Sequence, residues 1–137
     1  MAFRFSLQPI LRLRASVERM EQLRMLLMAA QIARVQREID ALEEVLSAER
    51  QRRYSSLSEG MPAAELHFER AREETRAEQI RMLRDLLAGL RRKHEEQRRV
   101  YQAARQRKEI IENLRKRRFE EYRREQDRKS TRLNSSH

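Results

Sequence analysis

The 137-residue chain contains no cysteine and no tryptophan, and it has only two glycines and two prolines. Without cysteine no disulfide can form, so nothing points to an extracellular fold held by disulfides. Because glycine and proline dominate tight turns, their scarcity excludes a turn-rich sandwich or barrel. Aromatic residues make up 5% of the chain and hydrophobic residues 39%, which is too little to fill a multilayer globular core.

Long uncharged hydrophobic runs are absent as well. The N-terminal residues contain no apolar stretch long enough for a signal peptide. No run of about 18 uncharged apolar residues occurs, so the sequence predicts no transmembrane helix. We therefore expect a cytoplasmic protein.

Charged residues are abundant, at 39% of the chain, and arginine, glutamate, leucine, alanine and glutamine dominate. This composition is typical of a coiled coil or of a chain that is disordered until it binds, and not of a conventional enzyme. The formal net charge is +10, of which residues 1–90 carry +1, residues 91–128 carry +7 and the last nine residues +2. All but four basic residues are arginine, which suits an anionic partner, although a GC-rich genome would give the same bias.

Apolar residues recur at steps of three and four from Pro9 to about Arg53, which predicts one long helix. Ser6 is a suitable N-cap, and Pro9 lies in the first turn, where its missing donor costs nothing. The spacing predicts two core series with a small change of register between Arg24 and Met28. The two series are Ile10, Leu13, Val17, Met20, Leu23 and Leu27, and then Met28, Ile32, Val35, Ile39, Leu42 and Leu46.

The stretch from Tyr54 to Pro62 is the one clear break, because it holds three serines, Gly60 and Pro62. A second helix follows, with polar His94, Gln97 and Lys108 on its seam, where such residues set register. Its predicted core residues are Leu66, Ile80, Leu83, Leu87, Leu90, Tyr101, Ala104, Ile111, Leu114 and Tyr122.

We therefore predict an all-α fold of two long helices that form an antiparallel coiled-coil hairpin over residues 1–128. The helices are expected at about 7–53 and 63–127, joined by a loop at 54–62. Heptads alone would also allow a parallel dimer, but the short loop favours the hairpin. Residues 108–128 are expected to project as an unpaired basic arm. Residues 129–137 resemble vector or adaptor sequence, so we expect the natural C-terminus to be missing.

No pattern in the sequence predicts a catalytic, cofactor or metal site. The three histidines, His67, His94 and His137, are too scattered to share a metal ion, and there is no phosphate-binding loop or nucleophile elbow. The many glutamates pair with arginines at helical spacing, which is typical of a solvated surface. The sequence therefore predicts no enzyme, no cofactor and no metal.

The aromatic residues are more informative. Tyr54 and Phe68 flank the loop, where they either plug the hairpin end or form an exposed apolar tip that binds another protein. Phe3 and Phe5 precede the first helix and either pack on the far end of the second helix, which we favour, or insert into a partner. The run 115–125 is strongly basic, but three glutamates interrupt it, so it suits a protein surface better than nucleic acid.

Three segments together resemble the FliJ family of flagellar export proteins: residues 3–14 (FRFSLQPILRLR), the loop region 60–66 (GMPAAEL) and residues 114–125 (LRKRRFEEYRRE). The resemblance covers residues 2–128. It implies a coiled coil similar to the central stalk of rotary ATPases, whose two ends insert into the hexameric flagellar export ATPase. It also implies a hairpin region that reaches the membrane export gate, and assistance to export chaperones, at the inner face of the plasma membrane at the flagellar basal body.

On this resemblance two sets of residues would bind partners. The residues that would face the ATPase are Arg115, Arg117, Arg118, Phe119, Tyr122 and Arg123. The residues that would face the gate are Tyr54, Leu57, Leu66 and Phe68. Ala71 and Thr75 stand where related sequences often carry bulkier residues, which limits the expected gate contact. The alternative is a basic coiled coil that binds RNA or ribosomes. A peripheral membrane protein fits less well, because pairing consumes both narrow apolar seams.

Overall fold

The computed structural model describes residues 2–135 and contains two helices and no strand within that range. Helix α1 spans Gln8–Glu59 and α2 spans Ala63–Ser135. Early residues of α1 contact late residues of α2, as in the pairs Glu18 with Lys108 and Glu43 with Arg84, so the helices pack antiparallel. The prediction of an all-α fold with two long antiparallel helices is therefore confirmed.

The helix bounds differ from the expected ones. α1 continues through the serine-rich segment to Glu59, because serine only mildly disfavours a helix and no glycine or proline interrupts it there. The turn is confined to residues 60–62, where Gly60 has a φ of 91° that suits glycine, and its N–H donates to the Leu57 carbonyl oxygen (3.3 Å). α2 runs beyond residue 127 to Ser135, whereas Ser136 and His137 lie outside the described residues. The vector-like origin of residues 129–137 stays a prediction.

The start of α1 also differs in detail. The helix begins at Gln8, whose N–H donates to the Phe5 carbonyl oxygen (3.1 Å), so Leu7 and not Ser6 occupies the capping position. The Ser6 hydroxyl instead accepts a hydrogen bond from the Arg118 guanidinium at 3.2 Å. A residue expected to cap α1 therefore connects the segment before α1 to α2.

The chain divides into two compact units. The first, unit 1, consists of the two chain ends, up to Met25 and from Gln97 onward, and unit 2 spans Leu26–Glu96. Unit 1 holds 19 basic and 8 acidic side chains, a net charge of +11, whereas unit 2 holds 13 and 14, a net charge of −1. The positive charge of the protein is thus a property of unit 1.

Unit 2 is an ordinary coiled coil with an apolar seam. Its buried core residues are Val35, Ile39, Leu46, Ile80 and Leu87. Ile32, Leu42, Leu83 and Leu90 pack against them, so the second predicted core series and the matching part of α2 are confirmed. Ion pairs between the helices flank this seam, among them Arg50 with Glu73 (2.6 Å) and Arg76 with Glu49 (2.8 Å).

Unit 1 differs in that its interior also contains hydrogen-bonded polar side chains. Glu21 is buried, and its carboxylate Oε2 accepts a hydrogen bond from Gln97 Nε2 at 2.5 Å, while Oε1 pairs with Arg24 at 2.9 Å. Lys108 donates to the Glu18 carboxylate. The expectation that Gln97 and Lys108 occupy the seam is confirmed, and both find partners there. Tyr101 is half-buried and Ala104 is buried in the same unit, as predicted.

The first predicted core series is wrong for unit 1. Of its members there, Ile10, Leu13, Met20 and Leu23 are exposed and Val17 is half-buried, and Leu27 in unit 2 is exposed as well. The inward face is a different heptad set that continues the second series without a change of register, because Glu18 and Glu21 meet polar partners on α2. That set is Leu11, Arg14, Glu18, Glu21 and Met25.

The expected unpaired arm beyond residue 107 is also wrong. Lys108 pairs with Glu18, Arg118 contacts Ser6, and Phe119 and Tyr122 pack on Phe3. Because the turn is shorter than expected, α1 pairs with residues that lie later in α2. Residues 3–6 continue this pairing before the start of α1. From residue 123 to residue 135 the side chains of α2 are exposed.

Candidate partner-binding surfaces

An aromatic cluster in unit 1 joins the segment before α1 to α2. The rings of Phe3 and Phe119 meet edge to face with centroids 5.3 Å apart, and Phe3 and Tyr122 lie 5.5 Å apart. Such pairs are stabilised by about 0.5–1.5 kcal/mol beyond the area that they bury. The favoured prediction that the N-terminal phenylalanines pack on the end of the second helix is confirmed. We call Phe3, Phe119 and Tyr122 the end cluster.

Arg118 holds the N-terminal segment beside this cluster. Its guanidinium lies 5.8 Å from the centroid of the buried Phe5 ring and donates to the Ser6 hydroxyl. Cation–π contacts of this kind attract through the quadrupole of the ring. Arg118 therefore has an intramolecular role, which its sequence position did not reveal.

A groove of about 430 Å³ opens next to the end cluster. Phe3, Leu11 and Phe119 form its apolar part, whereas Arg115 and Lys116 bring two positive charges against the single carboxylate of Glu112. A groove that has an apolar part and a net positive charge suits an apolar side chain that has a carboxylate nearby. Phe119 is both a member of the end cluster and a wall of this groove, and it is 42% exposed.

The structure thus brings together four of the six residues expected to face the ATPase: Arg115, Arg118, Phe119 and Tyr122. Arg117 and Arg123 are exposed on α2 and are not part of the cluster or the groove. Their guanidinium groups are available to a partner in solution. The role of all six residues in binding a partner stays a prediction.

The turn region forms the second surface, in unit 2. Tyr54 is 79% and Phe68 is 63% exposed, Leu57 is exposed, and Leu66 is half-buried. These side chains therefore do not plug the end of the hairpin, and the alternative of an exposed apolar tip is the one observed. We call Tyr54, Leu57, Leu66 and Phe68 the tip residues. No ring contact joins Tyr54 to Phe68 in the described part of the chain.

The surroundings of Phe68 are shaped by small residues. Ala71 and Thr75 line, with Phe68 and Arg72, an open groove of about 420 Å³. The Arg72 guanidinium lies 6.0 Å from the Phe68 ring centroid and also pairs with Glu49 at 3.3 Å. The residues that depart from the expected bulky pattern therefore leave a concave surface beside an exposed ring.

Ion pairs shift the pKa of two groups, Glu73 and Lys108. The hydrogen bonds from Arg53 and then Arg50 lower the pKa of Glu73 below its usual value of 4.5. The hydrogen bond from Lys108 to the Glu18 carboxylate raises the pKa of Lys108 above 10.5. Both shifts favour the charged form of the group, so these residues connect the helices and are not poised for proton transfer at neutral pH.

The structure exposes a further surface that sequence reasoning missed. Ile10, Leu13, Met20 and Leu23 were expected in the core, but they line the solvent-facing side of α1 in unit 1. The signal was present in the sequence, since Glu18 and Glu21 fall in the heptad set that matches Gln97 and Lys108. The apolar residues left over are therefore among the exposed large side chains of the described part of the chain.

Among residues 2–135, no group of three or more histidine, aspartate or glutamate side chains is placed to hold a metal ion. Across that same range no helix is long and apolar enough to cross a bilayer. The grooves beside Phe119 and Phe68 are open to solvent and offer contact surfaces.

A family model described as "Flagellar FliJ protein" matches residues 3–134. The match includes the turn, both candidate surfaces and part of the segment that had been set aside as vector-like. Neither the curated proteins nor the solved structures give a significant match to this chain.

Proposed function

Since this chain belongs to the FliJ family of flagellar export proteins, we propose that it is a stalk-like component that links the export ATPase to the membrane export gate and assists the export chaperones. It would do so without chemistry of its own, at the inner face of the plasma membrane at the flagellar basal body. The observation that supports this role best is the presence of two separate exposed surfaces, one in unit 1 and one in unit 2.

The end of unit 1 is the proposed ATPase-binding surface. The end cluster fixes Phe119 and Tyr122 next to the cationic groove, so the aromatic surface and the charges of Arg115 and Lys116 are presented together. Aromatic residues and arginine are the side chains that most often contribute the binding energy of a protein interface. Arg117 and Arg123 extend the positive surface along α2.

The tip residues are the proposed gate-binding surface. Large apolar side chains at this level of exposure are stabilised when a partner covers them. α1 contains Tyr54 and Leu57 in its last turns, and α2 contains Leu66 and Phe68 in its first turns. Both helices therefore contribute to the tip.

The test is ATP hydrolysis and binding with the cognate export ATPase. We expect the intact chain to stimulate hydrolysis and ring assembly, and we expect Arg117→Glu/Arg123→Glu to weaken binding in titration calorimetry at least tenfold. These two side chains are exposed, so the double variant keeps the fold. The matched control is Arg81→Glu/Arg91→Glu, which makes the same charge change in unit 2. Equal weakening by both variants would show a nonspecific charge effect and contradict the assignment.

The net charge of +11 in unit 1 favours one second candidate, a module that binds RNA or ribosomes. That candidate predicts binding whose logarithm falls steeply with the logarithm of salt concentration. Nucleic acid that co-purifies with the chain, together with no effect on ATP hydrolysis after nuclease treatment, would favour it over the stalk.

A further inference from the structure

The solvent-facing side of α1 in unit 1 carries a second heptad seam. Leu13, Ser16, Met20 and Leu23 follow at steps of three, four and three residues, which is the spacing of a coiled-coil contact. Ile10 borders them, and the exposure of the four large apolar side chains lies between 40% and 60%. We call Ile10, Leu13, Met20 and Leu23 the outer seam.

The exposure of the outer seam does not arise because apolar residues already fill the inner face of α1. The inner face of α1 in this unit places two glutamates where a coiled coil usually has apolar residues, and their carboxylates need Lys108, Arg24 and Gln97 to satisfy them. Unit 1 therefore leaves apolar side chains in water while it buries charge. This arrangement becomes favourable if another helix covers the outer seam.

The charges beside the outer seam indicate which kind of partner helix would bind there. Exposed Arg12 and Arg19 flank it, while Glu18 and Glu21, the only acidic residues between Gln8 and Met25, are turned inward and paired. In this unit α1 thus presents apolar side chains with positive charge only. From this complementarity we propose that the outer seam binds an acidic amphipathic helix of a partner protein.

Other occupants match these charges less well. A second copy of the chain would place Arg12 and Arg19 near the same arginines of its partner, which repel. Nucleic acid fits less well because the leucine and methionine side chains of the outer seam cannot donate hydrogen bonds to a phosphate backbone. A membrane-surface helix usually has a wider apolar face with aromatic residues, and α1 has no aromatic residue between Gln8 and Met25.

The size of the seam sets the length of the partner. From Ile10 to Leu23 the helix rises about 20 Å at 1.5 Å per residue, so the partner needs about four turns. Leucine or isoleucine at heptad positions would pack on the outer seam, and glutamates beside them would pair with Arg12 and Arg19. The residues involved are none of those proposed for the ATPase or the gate, so the inference does not depend on either assignment.

The experiment measures fluorescence anisotropy of a labelled synthetic peptide against the full chain. The acidic peptide has three heptads with leucine at a and d and glutamate at e and g, and its matched control has lysine at e and g. We expect the acidic peptide to bind and the basic one not to bind. Absence of binding by the acidic peptide, or equal binding by both, overturns the proposal.

Three double variants locate the site. Leu13→Glu/Met20→Glu should weaken the acidic peptide at least tenfold, whereas Val100→Glu/Ile110→Glu, an equal charge change at exposed apolar positions of α2 in the same unit, should leave it unchanged. Arg12→Glu/Arg19→Glu should reverse the preference toward the basic peptide. All three alter solvent-exposed residues, and circular dichroism checks that they fold. Equal losses in the first two variants contradict a defined seam.

Two further measurements distinguish the other occupants. Sedimentation of the chain alone reports self-association, and flotation with phosphatidylglycerol vesicles reports membrane binding. Dimers that Leu13→Glu/Met20→Glu abolishes would identify a second copy as the occupant and overturn the proposal. Vesicle binding lost in the same variant, without peptide binding, would overturn it in favour of a membrane.

Discussion

Gln97 Nε2 donates hydrogen bonds to both the backbone carbonyl oxygen and the carboxylate of Glu21, at 3.1 and 2.5 Å. This pair lies inside unit 1, where a coiled coil would normally bury two apolar side chains. Because each group satisfies the other, the pair fixes the register of α1 against α2 at the cost of apolar burial. The polar interior and the apolar outer seam of this unit are two consequences of one placement of side chains.

The first prediction concerns this pair. Gln97→Leu leaves the buried Glu21 carboxylate with one partner fewer, so we expect a loss of about 1–3 kcal/mol in the free energy of unfolding. Glu21→Leu/Gln97→Leu removes both polar groups, so we expect the double variant to be at least as stable as the parent protein. Urea denaturation followed by circular dichroism measures both. A double variant that is less stable than Gln97→Leu would contradict this expectation. It would show that the pair stabilises the fold in addition to fixing the register of the helices.

The second prediction concerns pH. Glu73, whose folded pKa is lowered by Arg53 and Arg50, contributes stability that is complete above its unfolded pKa near 4.5 and is lost as pH falls through the folded pKa. We expect Glu73→Gln to cost about 1 kcal/mol at pH 7, and the difference from the parent to shrink below pH 4.5. Denaturation at pH 7, 5, 4 and 3 tests this.

The control for Glu73 is its neighbour Glu74, which is exposed on α2. Glu74→Gln makes the same chemical change beside the ion pairs and should alter stability by less than about 0.5 kcal/mol at pH 7. A difference between parent and Glu73→Gln that does not vary with pH would rule out the ion pairs as its cause.

The third prediction concerns the tip residues. Tyr54→Ala/Phe68→Ala removes two exposed rings that do not belong to the buried core, so the free energy of unfolding should change by less than about 0.5 kcal/mol. Binding to the export ATPase should be unaffected, while swimming in soft agar should be impaired if the tip binds the gate. A double variant that swims normally would contradict the tip assignment.

The architecture could be predicted because its determinants are local. The sequence shows directly that glycine and proline are scarce, that α2 has heptads and that a turn occurs at Gly60. These three features predict both helices. In unit 2 the apolar series and the buried face coincide, so Val35, Ile39 and Leu46 were assigned correctly.

The face of α1 in unit 1 could not be chosen by hydrophobicity. Two heptad sets overlap there, and the apolar one, with Leu13 and Met20, was the obvious choice for a core. The observed interior depends on long-range partners, since Glu18 and Glu21 meet Lys108 and Gln97. Periodicity along one helix does not contain that information, although the polar seam positions of the second helix pointed to it.

The exposure of the candidate site was likewise beyond the sequence. Spacing alone allowed Tyr54 and Phe68 either to form a buried plug or to form an exposed tip, because burial depends on where α1 ends. Once α1 continues to Glu59 and the turn shrinks to residues 60–62, these rings fall outside the seam. The structure thus decides their exposure.

The last prediction compares the two glycines of the chain, which should respond to alanine in opposite directions. A Cβ at Gly60 would meet nothing within 4 Å, but its φ of 91° is unfavourable for alanine, so Gly60→Ala should destabilise the protein by about 1–2 kcal/mol. Gly89 lies within α2, where a Cβ would make an ordinary 3.9 Å contact with Arg92, so Gly89→Ala should stabilise by about 0.5–1 kcal/mol. Thermal unfolding by circular dichroism measures both variants. Destabilisation by Gly89→Ala would mean that this position needs glycine for a closer approach than the chain alone provides, and stabilisation by Gly60→Ala would show that the turn adopts another conformation.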